Sequence, residues 1–259
     1  MLRKRIIPTL LLRDEALVKT VKFNKTSYIG DPINTVRIFN ELEVDELVFL
    51  DIDASKLNKK PNFRVLKEIA NECFMPLAYG GGIKDFETAS EIFSIGFEKV
   101  VLNVIPHSQP SILKQIASHY GNQSVVASVD VKKNFWGKHE VWINSGAINT
   151  KKNPTDWCMY LEDIGAGEIL LTSIDREGTW TGLDIELTLK ITDKVKIPVI
   201  AHGGAGNIEH IENVFLQGKA SAVALGSMVV FQQKGMGVLV NMPNRLELDR
   251  IVRFNNSTI

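Results

Sequence analysis

Aspartates at the ends of short apolar runs are the residues of this chain best placed to do chemistry. Asp51 and Asp53 close one run of Val, Leu and Ile, Asp175 closes a second, and Asp130 closes a third. If these runs are parallel strands, a carboxylate at their carboxyl ends is partly removed from water and can act as a general acid or base. Asp130 is therefore a candidate catalytic residue, while capping of a loop is the alternative for each aspartate.

Glycine motifs follow two of the same runs, each ahead of a predicted helix. They are Gly80–Gly82 and Gly203–Gly204, and the neighbouring runs end in Asn103 and in Gly226–Ser227. Glycines let backbone N–H groups approach an anion, and a helix N-terminus adds partial positive charge. The paired occurrence predicts two phosphate sites and a ligand with two phosphates, with tight turns as the alternative. Lys19 is a candidate to close over a phosphate, unless it is a solvated surface lysine.

The candidate residues lie at the ends of eight apolar runs or in the connections that follow them. Each run is followed by a segment of helical periodicity. Runs rich in Val, Ile and Leu are typical of parallel strands that are buried on both faces. The strands are predicted at 5–11, 46–52, 75–79, 99–103, 124–130, 168–174, 197–201 and 221–226. The helices are predicted near 32–43, 61–73, 85–95, 108–119, 155–164, 184–193, 207–217 and 244–253. This count predicts an α/β fold, a closed (β/α)8 TIM barrel, with a doubly wound open sheet as the structural alternative.

The two halves of the chain repeat each other. The segment from Glu46 to Asp53 matches the segment from Glu168 to Asp175, and a slightly shorter offset places Leu11 over Asp130. Four units followed by four similar units favour closure of the barrel by half-barrel duplication. We predict a single domain over residues 1–259, with half-barrels of about 1–121 and 122–245.

Two connections are longer than a barrel needs. Residues 12–31 follow the first strand, and residues 131–154 follow the fifth. Both are expected on the carboxyl-terminal face, where barrel enzymes place their active sites and where long loops act as lids. The alternating run Glu140–Asn144 and the turn signal Ser145–Gly146 predict a small hairpin in the second connection.

Composition excludes several classes of protein. The chain has 259 residues, of which 44% are apolar and 23% charged, as in ordinary globular proteins. Lys plus Arg equals Asp plus Glu at 30 each, so no bulk field favours a nucleic acid or a membrane surface. Cys73 and Cys158 lack metal-ligand spacing, and the N-terminus lacks the apolar stretch of a signal peptide. We expect a cytoplasmic protein without a metal or other cofactor.

Longer motifs of the chain resemble the cyclase subunit of imidazole glycerol phosphate synthase, HisF. They are Arg5–Pro8, Asp45–Ile52, Gly80–Ile83 and Gly165–Arg176, and the similarity extends from residue 3 to about 231. The resemblance implies a duplicated (β/α)8 barrel that receives ammonia from a glutaminase subunit on its amino-terminal face. It also implies that ammonia crosses the barrel to a bisphosphate substrate, which is cleaved and cyclised to imidazole glycerol phosphate and an aminoimidazole carboxamide ribotide.

The resemblance further implies roles for individual residues. An ammonia gate at the bottom of the barrel would consist of four charged residues, Arg5, Glu46, Lys99 and Glu168. Opposite charges in one layer offset each other's loss of hydration, whereas four side chains that merely face water are the alternative. The residues that would contact substrate or phosphate are Lys19, Asp51, Gly82, Asn103, Thr172, Asp175, Gly178, His202, Gly203, Gly204, Gly226 and Ser227.

The catalytic pair departs from the family pattern. The family uses one aspartate at the end of strand one and another at the end of strand five; Asp130 matches the second, but Leu11 stands at the first. Leucine cannot transfer a proton. Asp14 would reach the site only if the loop were re-registered. Val104 replaces an expected polar residue. His202 replaces a small hydroxyl residue and is a candidate acid or base, with a packed, hydrogen-bonded histidine as the alternative.

These departures resemble a second branch of the family. In that branch the barrel carries ammonia from a glutaminase homologue to a separate amidotransferase, which converts a sugar N-acetyl group to an acetamidino group in surface polysaccharide or nonulosonic acid synthesis. We therefore expect an ammonia-conducting enzyme subunit with a glutaminase partner, a sugar amidotransferase as a further partner and a phosphorylated small-molecule ligand. The alternatives are a working cyclase subunit of histidine biosynthesis and a scaffolding barrel that binds a phosphorylated ligand without turnover.

Overall fold

Branched apolar residues form the strands because they pack well on both faces of a parallel sheet. The computed structural model describes residues 3–254, without the side chains of 245, 249 and 252–254. The strands within that range are β1 (Arg5–Arg13), β2 (Ala16–Val21), β3 (Asn24–Gly30), β4 (Leu47–Asp51), β5 (Leu77–Gly80), β6 (Lys99–Leu102), β7 (Val125–Lys133), β8 (His139–Ile143), β9 (Ile148–Asn149), β10 (Glu168–Ser173), β11 (Val199–His202) and β12 (Ala222–Leu225).

Helices cover the outside of the sheet. Those of the described residues are α1 (Pro32–Glu41), α2 (Phe63–Glu72), α3 (Phe86–Ile95), α4 (Ile105–Ser108), α5 (Pro110–Tyr120), α6 (Pro154–Asp163), α7 (Ile185–Thr192), α8 (Ile208–Leu216), α9 (Ser227–Val230) and α10 (Arg245–Phe254). Between residues 3 and 254, no helix has the length and apolar character needed to cross a lipid bilayer.

Eight parallel strands close into a barrel. The hydrogen-bonded order is β10, β11, β12, β1, β4, β5, β6 and β7, and β7 pairs again with β10 to complete the circle. Because consecutive barrel strands are separated by helices, this is the predicted (β/α)8 TIM barrel, and that prediction is confirmed. The open doubly wound sheet is excluded by the pairing of β7 with β10.

Two of the barrel strands continue beyond the barrel into antiparallel ribbons. β7 pairs with β8, which pairs with β9, so the predicted hairpin after the fifth barrel strand is present. Residues 12–31, predicted as a long loop, instead form a ribbon in which β2 pairs with both β1 and β3. β-Branched residues favour these strands, and the turn at Lys22 and Phe23 has φ of 53° and 59°. Neither of the two central residues of that turn is a glycine or an asparagine.

The barrel interior is apolar between its two ends. One layer of small and branched side chains fills it, whereas a larger cluster packs the barrel against its helices. The interior residues are Ile7, Val48, Ala78, Val101, Val126, Leu170, Ile200, Ala222 and Ala224. Polar groups are therefore concentrated at the two ends of the barrel, which are separated by this apolar layer.

Candidate functional site

Four charged side chains meet at the amino-terminal end of the barrel. Arg5 donates to Glu46 and to Glu168, each at 2.7 Å. The Nζ of Lys99 donates to Glu46 at 2.9 Å and to Glu168 at 3.1 Å. These four residues form a closed circuit of alternating cations and anions, which we call the charged ring. Mutual pairing offsets the free energy that each group loses on leaving water.

A cavity of about 240 Å³ lies at the opposite, carboxyl-terminal end, and we call it the mouth cavity. Strand ends form its floor and the β2–β3 ribbon contributes Phe23 and Thr26 to its wall. Among the predicted site residues, the mouth cavity is lined by Asp51, Gly82, Asn103, Asp130, Thr172 and His202. Leu11 and Val104 also line it, so these two departures from the family pattern lie within this cavity together with the third, His202.

Asp130 is buried in the wall of the mouth cavity. Burial raises the pKa of its carboxyl group to about 7, although hydrogen bonds from Thr172, Ser128 and Asn103 oppose this shift. The Nδ2 of Asn103 lies 3.2 Å from Oδ2 of Asp130, and its Oδ1 accepts from the N–H of Asn144 at 2.9 Å. Asp130 is therefore held in a fixed position with a pKa suited to proton transfer at neutral pH.

Leu11 and Asp130 occupy equivalent positions in the two halves of the barrel. Leu11 pairs in register with Leu50 on the second barrel strand. Asp130 pairs in register with Thr172 on the sixth. The predicted correspondence between the two residues thus agrees with the strand register. An apolar side chain lines the mouth cavity where symmetry would place the partner of Asp130.

Neither neighbouring aspartate takes the place of that partner. Asp14 has an exposed side chain and pairs with Lys59 at 2.9 Å, so the loop is not re-registered into the site. Asp51 does line the mouth cavity, but its Oδ1 accepts from the N–H groups of Asp53 at 3.0 Å and Ala54 at 2.9 Å. Burial raises the pKa of Asp51. Asp51 therefore caps the turn that follows β4.

A second, much smaller cavity, of about 10 Å³, collects most of the remaining predicted phosphate residues, and we call it the cradle. Gly178, Gly203 and Gly204 are in the left-handed region, and the backbone packs too closely for larger residues: a Cβ on Gly203 would lie 2.8 Å from the carbonyl oxygen of Ser173. The predicted residues that line it are Lys19, Gly178, His202, Gly203, Gly204, Gly226 and Ser227.

Lys19 is neither at the surface nor free in the cradle. Its ammonium group forms an ion pair with Glu177, and both side chains are almost fully buried. Glu177 also accepts from the N–H of Phe23 at 3.2 Å. Glu177 was not among the predicted site residues, although an acidic residue directly before Gly178 in a predicted anion site indicates that a cation lies nearby. The charge of the Lys19 ammonium group in the cradle is therefore neutralised by Glu177.

His202 connects the two cavities, because it lines both. Its Nδ1 lies 3.1 Å from Oγ1 of Thr172, and both side chains are buried. Burial, reinforced by the charge of Lys19, lowers the pKa of His202 to about 4. The imidazole is therefore packed, hydrogen-bonded and neutral at physiological pH.

Asp175 is the one predicted contact residue that lines neither cavity. Its Oδ2 accepts a hydrogen bond from the backbone N–H of Lys133 at 2.8 Å. Asp175 therefore stabilises the end of β7 that extends beyond the barrel. Its strand-end position indicated the correct face of the barrel but not the direction of the side chain. Among the described residues, no group of three or more His, Cys, Asp or Glu side chains could hold a metal ion.

Comparison with known proteins agrees with this architecture. A family model described as histidine biosynthesis protein matches residues 5–234. A protein of Pseudomonas aeruginosa provisionally named imidazole glycerol phosphate synthase subunit hisF2 is 51% identical over 96% of this chain and 99% of its own length. A provisionally named HisF of Leptospira borgpetersenii is 47% identical, over 94% and 96%. The imidazole glycerol phosphate synthase subunit HisF of Chlorobium limicola is 41% identical, over 90% and 92%. The chain therefore belongs to the histidine biosynthesis protein family, among its HisF subunits.

Proposed function

We propose that this protein is the ammonia-conducting barrel subunit of a glutamine amidotransferase complex and does not perform the full cyclase reaction. Ammonia from a glutaminase bound at the amino-terminal face would leave at the mouth cavity for the amidation of a sugar in surface polysaccharide synthesis. One observation carries this proposal: Leu11 lines the mouth cavity at the position that corresponds, by strand register, to that of Asp130 in the other half-barrel.

The charged ring supports the proposed entry of ammonia at the amino-terminal end of the barrel. Its four side chains surround the amino-terminal end of the barrel axis and are paired only with each other in the described structure. Beyond it lies the apolar interior, where neutral ammonia loses less free energy of hydration than ammonium does. The proposed glutaminase would therefore deliver ammonia at the ring, and the interior would select against the charged form.

The residues of the mouth cavity and the cradle support the proposal that this protein does not catalyse the cyclase reaction. Ring closure and cleavage in this family rest on two aspartates, and here one of them has become a residue that cannot carry a proton. The cradle is also closed by the pair of Lys19 and Glu177, which occupies the place predicted for a phosphate. Both features lie on the surface that would otherwise bind the bisphosphate substrate.

Incubation with the bisphosphate ribonucleotide and excess ammonium salt tests this proposal directly. Ammonium salt removes any need for a glutaminase, so the outcome depends on this chain alone. We expect no imidazole glycerol phosphate above background, with the HisF of Chlorobium limicola as the positive control. Product formed at the rate of the control would overturn the proposal.

The conducting role needs a second assay, with the glutaminase and the sugar amidotransferase encoded nearest to this gene. We expect glutamine-dependent amidation of the sugar only when this protein is present, and ammonium-dependent amidation without it. Lys99→Met, which opens the charged ring, should reduce the glutamine-dependent rate and leave the ammonium-dependent rate unchanged. Equal glutamine-dependent rates with and without this protein would refute conduction.

A working cyclase subunit of histidine biosynthesis is the second candidate. Two observations favour it: the identity of 41% to the HisF of Chlorobium limicola, and the preserved setting of Asp130, whose pKa of about 7 suits proton transfer. The first assay separates the two candidates, because a cyclase must form product from ammonium salt.

A further inference from the structure

Three buried side chains join the mouth cavity to the cradle. Asp130 and Thr172 are partners in register on adjacent parallel strands, and both side chains are buried and line the mouth cavity. Oγ1 of Thr172 lies 3.1 Å from Nδ1 of His202. His202 in turn lines the cradle beside Lys19 and Glu177. A hydroxyl that both donates and accepts thus stands between a carboxyl group and an imidazole.

We propose that Thr172 and His202 form a proton relay between the cradle and Asp130, which makes His202 the second proton-handling group of this site. The relay goes beyond the proposed function and does not depend on it, because it is a property of three side chains whichever reaction the barrel serves. It also accounts for a histidine in the position next to Gly203.

The relay conserves protons at every atom. With Asp130 ionised, the Thr172 hydroxyl donates to the carboxylate and accepts from the Nδ1–H of His202, so Nε2 carries a lone pair. A proton that arrives at Nε2 forms an N–H bond there, while the Nδ1–H bond breaks and its proton passes to the oxygen of Thr172. The original hydroxyl proton of Thr172 moves to Asp130. The result is neutral Asp130 and the other neutral tautomer of His202, with one proton gained in total.

The charges around the relay set its resting state. In the cradle, Lys19 from β2 and Glu177 from the loop after β10 act on His202 with opposite sign. On the mouth side, Asn103 and Ser128 face Asp130. Since Lys19 disfavours an imidazolium ion and Asp130 titrates near neutral pH, the relayed proton rests on Asp130 and the imidazole stays neutral.

The tautomer of His202 tests this proposal, because simple packing would not make it depend on Asp130. The full chain is labelled with ¹⁵N-histidine, and His202 is assigned among the five histidines with the His202→Gln variant. We expect His202 to carry its proton on Nε2 below a pH of about 7 and on Nδ1 above it, with no imidazolium signal. A tautomer that does not change with pH would overturn the relay.

Variants test whether the pH-dependent change of the His202 tautomer depends on Asp130 and Thr172. Asp130→Asn and Thr172→Val should each abolish the pH-dependent change, whereas Thr172→Ser, which keeps a hydroxyl, should retain it. The control is Thr181→Val, at an exposed threonine whose hydroxyl hydrogen-bonds to that of Thr179. Persistence of the switch in Asp130→Asn or in Thr172→Val would refute the proposal. If Thr172→Val does not fold, Asp130→Asn and Thr172→Ser still decide between a relay and packing.

Discussion

Leu11 faces the same cavity as Asp130, and strand register makes the two residues equivalent in the two half-barrels. A duplicated barrel offers two symmetric positions for a carboxyl group at its mouth. This chain keeps one of them as Asp130 and fills the other with the apolar side chain of Leu11, while His202 lies 3.1 Å from the hydroxyl of Thr172, the register partner of Asp130. Of these two symmetric positions, only the one in the second half-barrel carries a titratable side chain.

Leu11→Asp restores the missing carboxyl group and should still not restore cyclase activity to the rate of the HisF of Chlorobium limicola. Val104 and the Lys19–Glu177 pair would continue to oppose binding of the bisphosphate. The buried carboxylate should also lower the free energy of unfolding by about 2–4 kcal/mol at pH 8. Product formation with ammonium salt and unfolding in urea measure the two effects.

Leu11→Asn is the matched control for that variant, because asparagine has the same shape without a titratable group. It should lose a similar amount of stability at pH 5 and less than Leu11→Asp at pH 8, where a second carboxylate repels Asp130. A normal cyclase rate in Leu11→Asp would contradict the prediction and show that this one carboxyl group is the whole deficit.

The titrations of Asp130 and His202 should make opposing contributions to the pH dependence of stability, which largely cancel in the wild type. The pKa of Asp130 is raised to about 7, so the native state holds a proton that the unfolded chain loses, and this contribution falls as pH rises from about 4 to about 7. The pKa of His202 is lowered to about 4, so the unfolded chain binds the extra proton, and this contribution grows as pH rises from about 4 to about 6.5.

Single variants should reveal how Asp130 and His202 each make the free energy of unfolding depend on pH. Relative to the wild type, Asp130→Asn should gain up to about 4 kcal/mol of unfolding free energy between pH 4 and pH 7. His202→Gln should lose up to about 3 kcal/mol between pH 4 and pH 6.5, again relative to the wild type. Urea unfolding at closely spaced pH values measures both, and parallel curves for all three proteins would contradict the prediction.

Glu177→Gln should make the cradle a better anion site while weakening the fold. Removing one partner of a buried ion pair leaves Lys19 uncompensated, at a loss of about 3 kcal/mol of stability. The freed ammonium group should bind inorganic phosphate about tenfold more tightly than the wild type does. Titration of phosphate by calorimetry tests this, with Glu212→Gln on the exposed face of α8 as the control. Unchanged phosphate affinity would show that Glu177 does not compete with anions.

The charged ring should contribute to stability only as a complete set. Glu46→Gln leaves Arg5 and Lys99 with a single buried anion, and we expect it to reduce the free energy of unfolding by about 3 kcal/mol. The control is Glu186→Gln, which breaks the exposed pair with Lys190 and should have no measurable effect. Equal effects of the two changes in urea unfolding would mean that the ring side chains are solvated.

The barrel and its two ends could be predicted because parallel strands place their first residues in one layer and their last residues in another. Runs of Val, Ile and Leu marked all eight barrel strands, and the strand starts marked the four charges that meet in the ring. The glycine motif 203–204 marked a turn that lines the cradle, whereas the motif 80–82 marked one that lines the mouth cavity. These features depend on local sequence and on the symmetry of one fold.

Other features depend on contacts that local sequence does not encode. Glu177 is far from Lys19 in the chain, and only the β2–β3 ribbon brings them together. That ribbon turns at Lys22 and Phe23, which carry no turn signal despite their positive φ. Asp175 ends its strand as predicted, yet its side chain is directed to the N–H of Lys133 and away from the cavities.

Glu177 binds the ribbon at three points: through its carbonyl oxygen to the N–H of Lys22 at 2.9 Å, and through its carboxylate to Phe23 and Lys19. Lys19 therefore lies on an anchored strand, and a local opening of that ribbon would free its ammonium group for a ligand. Such openings occur on microsecond to second timescales, so uptake would be paced by the protein rather than by diffusion. Amide hydrogen exchange at Lys22 and Phe23 would report the frequency of these openings.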